Sequence, residues 1–320
     1  MKKNKIFFLS IILMSIMMLS SCNGNNPSGV IQATDFDSEN KSKPSTSYQS
    51  DIETVPNTPD SETAQTVPLI NSLIAEKKSL KELSREKLDI LSSLSNKLIQ
   101  YGVGNETDNK NRPTGATSMQ EKYYDMSAVF IEKADEKKIY LTFDEGYEAG
   151  YTPDILKTLA EKNVKATFFI TGGYLKYSED MVKAIIDGGH TLGNHTENHP
   201  SLPECSVEQI TEEINTLHNS IKEKFGIEMK VLRPPKGEFS EQSLKTAEEL
   251  GYKSIFWSFA YADWDKNKQP EPAQSLENLK KKTHNGAIIL LHAVSSTNAK
   301  ILADAIDYWK ENGYELATFN

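Results

Sequence analysis

The residues best suited to chemistry in this chain stand at intervals along its second half. His195 and His199 lie four apart in His-Thr-Glu-Asn-His, with Gly193 shortly before them and Pro200 directly after. If the segment turns helically after a strand, two such imidazoles face one way and can share a divalent ion. Imidazole suits zinc, cobalt, iron or nickel, and one nearby carboxylate would complete three protein ligands, leaving positions for water and substrate. Alone, a His-x3-His pair is often incidental. Here it has company: Asp144 and Glu145 follow Thr-Phe, Arg233 follows Val-Leu, Asp263 stands in the loop after Ser258, and His292 ends Ile-Ile-Leu-Leu.

Those groups need a scaffold that brings them together. β-rich runs are predicted over 139–143, 166–171, 191–195, 229–233, 254–258, 287–292 and 314–319. Helical patterns occupy gaps between them, at 153–162, 206–224, 240–250 and 298–312. Pro153 suits a first helical turn, and Gly188, Gly251 and Gly313 stand where helices should stop. Repeated strand–helix units imply a parallel sheet covered by helices, either closed into a barrel or doubly wound. Five strands in turn deliver a reactive or charged side chain at their carboxyl ends, which is where parallel α/β barrels build their active sites. For any one of these residues a solvated turn or a satisfied structural histidine is the commoner explanation. Their coincidence at one end points to a single site in a barrel. By the same test His190, His218 and His284 read as structural or solvated, and Cys205 as a small loop residue rather than a nucleophile.

The front of the chain is of another kind. Lys2, Lys3 and Lys5 precede an apolar run over 6–19 and small residues ending at Cys22, the three-part plan of a secretory signal and too short to span a membrane comfortably. Leu19-Ser20-Ser21-Cys22 also resembles a bacterial lipobox, in which Cys22 would carry lipid; the alternative is ordinary cleavage near Ser21. With Cys22 lipidated, Cys205 has no intramolecular partner, so an exported protein would be held together without a disulfide. Residues 23–66 are rich in Ser, Thr, Asn, Asp and Pro and read as a solvated tether. Over 67–103 leucines recur at spacings of three and four, predicting an amphipathic helix or pair of helices packed on the remainder, with a protein partner as the sharper alternative. Residues 104–136 are assigned as a connecting segment at the domain edge, and 137–320 as the catalytic domain. Loss of residues 1–21, with their three lysines, changes the net charge from −9 to −12, which argues against nucleic acid as a partner.

In this order, TFDEG at 142–146, HTENHP at 195–200, RPPKG at 233–237, WSFAYADW at 257–264 and LLHAVS at 290–295 resemble the five motifs of the polysaccharide deacetylases, carbohydrate esterase family four. The resemblance covers a little over half the chain and implies an α/β fold, a distorted (β/α) barrel of parallel strands. Carried onto these positions, it implies that His195 and His199 hold a divalent metal, zinc first with cobalt or others as alternatives. It makes Asp144 the general base, with Arg233 as its partner, and His292 the general acid, oriented by Asp263. Pro234, Lys236, Gly237 and Trp264 would contact substrate. Most of the family has a second aspartate after the base as third metal ligand, where this chain has Glu145. The expectation is that Glu145 ligates, more weakly than aspartate. TFDEGYE, RPPKGEFS and Asn298 and Ala299 after LLHAVS are similar to the subgroup that deacetylates N-acetylmuramic acid on the way to the muramic δ-lactam of spore cortex. The alternatives are an N-acetylglucosamine deacetylase of peptidoglycan or chitin, and a wall-binding lipoprotein with a degenerate site. Peptidoglycan strands, and the membrane through a lipid anchor, are the partners implied.

Overall fold

The computed structural model of the chain describes residues 83–319. The proposed signal, Cys22, the tether and the first part of the leucine-rich segment lie outside the described residues. The elements run α1 (Arg85–Ser92), β1 (Ile99–Gln100), α2 (Thr114–Tyr123), β2 (Ala128–Val129), β3 (Lys138–Glu145), α3 (Thr152–Glu161), β4 (Thr167–Ile170), α4 (Gly172–Tyr177), α5 (Glu179–Asp187), β5 (Thr191–Asn194), α6 (Val207–Phe225), β6 (Val231–Leu232), β7 (Glu238–Phe239), α7 (Glu241–Glu249), β8 (Lys253–Ile255), α8 (Pro272–Lys282), β9 (Ala287–His292), α9 (Ser296–Glu311) and β10 (Glu315–Ala317).

β3 is the central strand of an eight-stranded sheet in which every pairing is parallel. It pairs with β9 along one edge, while β10 takes the first part of its other edge and β4 the second. From β4 the sheet continues through β5, β6 and β8 to β2. The chain leaving β8 then bridges to β9 at Phe259↔Ile289, which closes the curl into a distorted barrel. Alternation along β3 sorts its side chains: Ile139, Leu141 and Phe143 face the helices, and Tyr140 packs in the interior cluster of Phe169, Val231, Ile255 and Ile288.

The helices cover the outside for reasons legible in their sequences. α6 buries Val207, Ile210, Ile214, Leu217 and Ile221, one stripe at spacings of three and four. Ser206 and Gln209 form its capping box, and Gly226 ends it at φ 71°. α9 is capped by the Ser295 hydroxyl and buries Ile301, Leu302, Ile306 and Trp309.

Two boundaries drawn from sequence need correction. Among the described residues the leucine-rich segment is helical only over Arg85–Ser92; Ser93 turns back, its hydroxyl on the Ile90 carbonyl, and Ile99–Gln100 is a strand antiparallel to β7. The stretch 104–136 is more than a connection. Its Ala128–Val129 pairs in parallel with Ser254–Ile255 of the main sheet, and its Tyr123 and Phe130 share a buried cluster with Tyr101, Phe239 and Phe256. The catalytic fold therefore begins well before residue 137. Two-residue strands are too short to show a period, and only the sheet edges they dock on reveal them. The strands predicted over 229–233 and 314–319 shorten to Val231–Leu232 and Glu315–Ala317.

Candidate active site

Strand register delivers the polar groups to one end of the barrel. Asp144, near the end of β3, sits opposite His292 of β9 and Phe169 of β4, while Asn194 of β5, just before His195, sits opposite Leu232 of β6, just before Arg233. They surround a cleft of about 580 Å³ that is also lined by His199, Pro234, Lys236, Gly237 and Trp264. All four expected substrate contacts thus line one cavity.

Arg233 is fully buried beneath it. Its Nη1 donates to Asp144 Oδ1 at 2.7 Å and to Thr142 Oγ1 at 2.9 Å; Nε and Nη2 donate to the carbonyls of Ile255 and Phe256, each at 3.1 Å. The guanidinium lies 4.2 Å from the centre of the Phe169 ring. A Cβ on Gly193 would meet that ring at 2.4 Å, so the glycine before the histidine motif is required by the packing that backs the arginine. Burial alone would raise the Asp144 carboxyl, but Arg233, with smaller contributions from His195 and His292, outweighs it and holds the group below the usual carboxylate range. Asp144 stays ionised.

Opposite it, Asp263 is fully buried and accepts from His292 Nδ1–H at 2.7 Å and from the His292 backbone N–H at 2.9 Å. Asn298 on the first turn of α9 donates to Asp263 Oδ2 at 2.6 Å and to the His292 carbonyl at 3.0 Å, and its own carbonyl accepts from the Tyr261 hydroxyl. Burial pulls His292 down, yet the Asp263 hydrogen bond and charge together prevail, and its pKa is raised. The ring is therefore poised as an acid. Trp264, more than half exposed, stands edge-on to it with centroids 6.2 Å apart.

The histidine pair lines the same cleft. His195 Nδ1–H donates to the Arg233 carbonyl at 2.7 Å, which leaves its Nε2 lone pair free, 3.6 Å from Asp144 Oδ2. The two rings are 4.7 Å apart, and burial holds both neutral, with His199 pushed down to about 4. The loop that presents them is strained: Thr196 and His199, neither a glycine, have φ of 67° and 57°. It is held by Asn194 Oδ1 on the Thr196 N–H at 2.8 Å, and by the Glu213 carboxylate of α6, which receives the Asn198 backbone and side-chain N–H groups, each at 2.8 Å. Two neutral imidazoles, one oriented through its far nitrogen by a backbone carbonyl, are donors suited to a divalent metal.

The expected third donor is elsewhere. Glu145 follows Asp144 by one residue on a strand, so it shares the parity of Ile139, Leu141 and Phe143 and faces the helices. Its carboxyl is fully buried beside Tyr174 and Glu148, and neither oxygen has a hydrogen-bond partner. Burial, with Glu148 and Asp144 adding to it, raises its pKa well above the ordinary value and favours the neutral form. Among the described residues no set of three His, Cys, Asp or Glu side chains converges as a metal cage. Of the expected ligands, the structure brings together His195 and His199, and the carboxylate beside them is Asp144.

Comparison with known proteins follows from this arrangement. The family model described as polysaccharide deacetylase matches residues 131–255. The peptidoglycan-N-acetylmuramic acid deacetylase PdaA of Bacillus subtilis is 39% identical over 225 residues, which are 69% of this chain and 84% of that protein. The chain belongs to the polysaccharide deacetylase family. A peptidoglycan-N-acetylglucosamine deacetylase, PgdA of Listeria monocytogenes, is 32% identical over 64% of this chain and 43% of its own length. The solved structure of B. subtilis PdaA, a family 4 carbohydrate esterase, superposes with a TM-score of 0.67 at 37% identity, covering 70% of this chain and 96% of that one. The fold expected from sequence is the one found, and the chain is a hydrolase of N-acetyl amides whose relatives act on peptidoglycan.

Three groups at the site were not singled out as functional in the sequence. Tyr147 and Trp257 line the cleft, and Asn298 orients the acid. The signal for Asn298 was its position six residues beyond His292, at the start of a helix that must pack under that strand end. His190, His218 and His284 are structural, as expected: they bond the Ala166 N–H, the Tyr252 hydroxyl, and Ser258 with the Lys282 carbonyl.

The placement of Glu145 makes a direct prediction. In calorimetric titrations of zinc, Glu145→Gln should bind as wild type does, whereas His199→Ala should lose the site. An affinity loss in Glu145→Gln as large as that in His199→Ala would put Glu145 among the ligands.

Proposed function

We propose that this protein removes the acetyl group from N-acetylmuramic acid residues of peptidoglycan. The observation that carries the sugar assignment is the 39% identity to a muramic acid deacetylase across most of that protein's length. Chemistry at the cleft follows from the side chains present. Asp144 Oδ1 is occupied by Arg233 while Oδ2 faces the cleft side of His195, so Oδ2 is the oxygen that takes a proton from the attacking water. Water adds to the acetyl carbonyl carbon and the C=O electrons move to its oxygen. The backbone of Lys236 lines the cleft wall, and its N–H is the donor we assign to that developing charge. His292, its Nδ1–H fixed on Asp263, gives the Nε2 proton to the sugar nitrogen as the C–N bond breaks, releasing acetate and a free amine. A divalent metal on His195 and His199 would polarise the acetyl carbonyl and lower the pKa of the attacking water.

In muramic acid the freed amine lies on the same ring as the lactyl carboxylate, and condensation of the two with loss of water gives a δ-lactam. We assign the reaction to that route in spore cortex. We also assign the chain to the outer face of a membrane, held by lipid on Cys22 and spaced from it by residues 23–66.

Incubation with defined muropeptides should release acetate, give a mass loss of one acetyl group on the muramic residue, and stop when a chelator is added. Deacetylation confined to glucosamine would overturn the assignment. Wild-type protein should partition with membranes and Cys22→Ser should be released; equal release of both would remove the anchor.

A further inference from the structure

The wall of the cleft formed by Pro234–Gly237 is an improbable piece of backbone. Lys236, not a glycine, has φ 60°, and Gly237 follows with φ 68°. A Cβ on Gly237 would meet the Trp257 indole at 2.7 Å, so the turn is pressed against the aromatic floor of the cleft. A left-handed residue that is not glycine persists only where its surroundings over-determine it. The restraint comes from a segment that precedes the family-matched residues 131–255. Gln100 Nε2 donates to the Lys236 carbonyl at 2.9 Å, and the Tyr101 backbone N–H donates to the Gly237 carbonyl at 3.0 Å. β1 pairs Ile99 with Phe239 and Gln100 with Glu238 just beyond the turn. The Tyr101 hydroxyl donates to the Trp257 carbonyl at 2.5 Å, and its ring packs against Phe130, Phe256 and Trp257. The end of β1 and the residue after it thus take up both carbonyls of the turn and anchor the residue under it.

We infer that Gln100 and Tyr101 are positioning residues of the deacetylase reaction. They hold the Lys236–Gly237 carbonyls outward, and the turn so fixed presents the Lys236 N–H to the cleft. Neither residue touches the reacting atoms. The segment ahead of residues 131–255 therefore supports the active site. The inference rests on the deacetylase chemistry above and is independent of which sugar is deacetylated.

The test uses full-length protein and compares Gln100→Ala, Gln100→Glu and Gln100→Lys. Glutamate has the shape of glutamine but no donor hydrogen for the Lys236 carbonyl, whereas lysine restores a donor. Alanine and glutamate should lower kcat about 5- to 10-fold with KM little changed and the unfolding midpoint unaltered, glutamate at least as severely, and lysine should recover most of the loss. Tyr101→Phe should move kcat the same way. Hydrogen exchange read on the peptide spanning 234–239 should quicken in Gln100→Glu, a measurement that stands even if wild type proves inactive on the sugars tried. Wild-type kcat and unchanged exchange in Gln100→Glu would overturn the inference, as would losses that only follow thermal stability.

Discussion

A charged guanidinium sealed inside the barrel is the constraint on which the site depends. Removing Arg233 from water costs several kcal/mol unless its charge and every donor are satisfied. Its donors reach Asp144, Thr142 and the carbonyls of Ile255 and Phe256, which belong to β3 and to β8 with the residue after it. Satisfying them fixes how these strands sit, since the partners are set points on β3 and at the end of β8. The same bonds keep Asp144 ionised although it is buried. Phe169 packed on the guanidinium and Gly193 shaped to Phe169 carry the constraint to the histidine loop. Structure and chemistry are thus served by one ion pair.

The second half of the machinery applies the opposite logic at the neighbouring strand. β3 and β9 pair so that Asp144 and His292 are direct neighbours, yet their environments drive them to opposite proton states. Asp144 faces cations and is kept charged; His292 leans on a buried Asp263 that accepts three hydrogen bonds, and keeps its proton. Separating an acid from a base over one strand spacing is what amide hydrolysis at neutral pH requires. The two histidines of the loop after β5 are neutral, as metal donors must be.

Much of this was legible because the reactive residues follow apolar runs of strand length, so a local pattern reports a global position. The sequence alone places Asp144, His195, Arg233, Asp263 and His292 at one barrel end. What sequence missed falls into two physical kinds. Ile99–Gln100 and Ala128–Val129 are strands only because a partner edge exists, and two residues carry no periodicity of their own. Glu145 was misplaced for a different reason. The family resemblance, with an aspartate ligand at this position, suggested a ligand, while the alternation Ile139, Leu141, Phe143 puts it on the helix-facing side of β3. Parity was the better guide, and the buried, unbonded carboxyl is the result.

The central claim is that Arg233 sets the protonation state of Asp144. It is tested most directly by carbon-13 NMR titration of aspartate-labelled protein, with the Asp144 signal assigned by its absence in Asp144→Asn, in wild type and in Arg233→Gln over the pH range where circular dichroism shows both folded. In wild type the Asp144 carboxyl should remain ionised below the usual aspartate midpoint. Without the guanidinium, burial is left as the dominant influence and the midpoint should rise above the usual value. The same midpoint in both proteins would contradict the account.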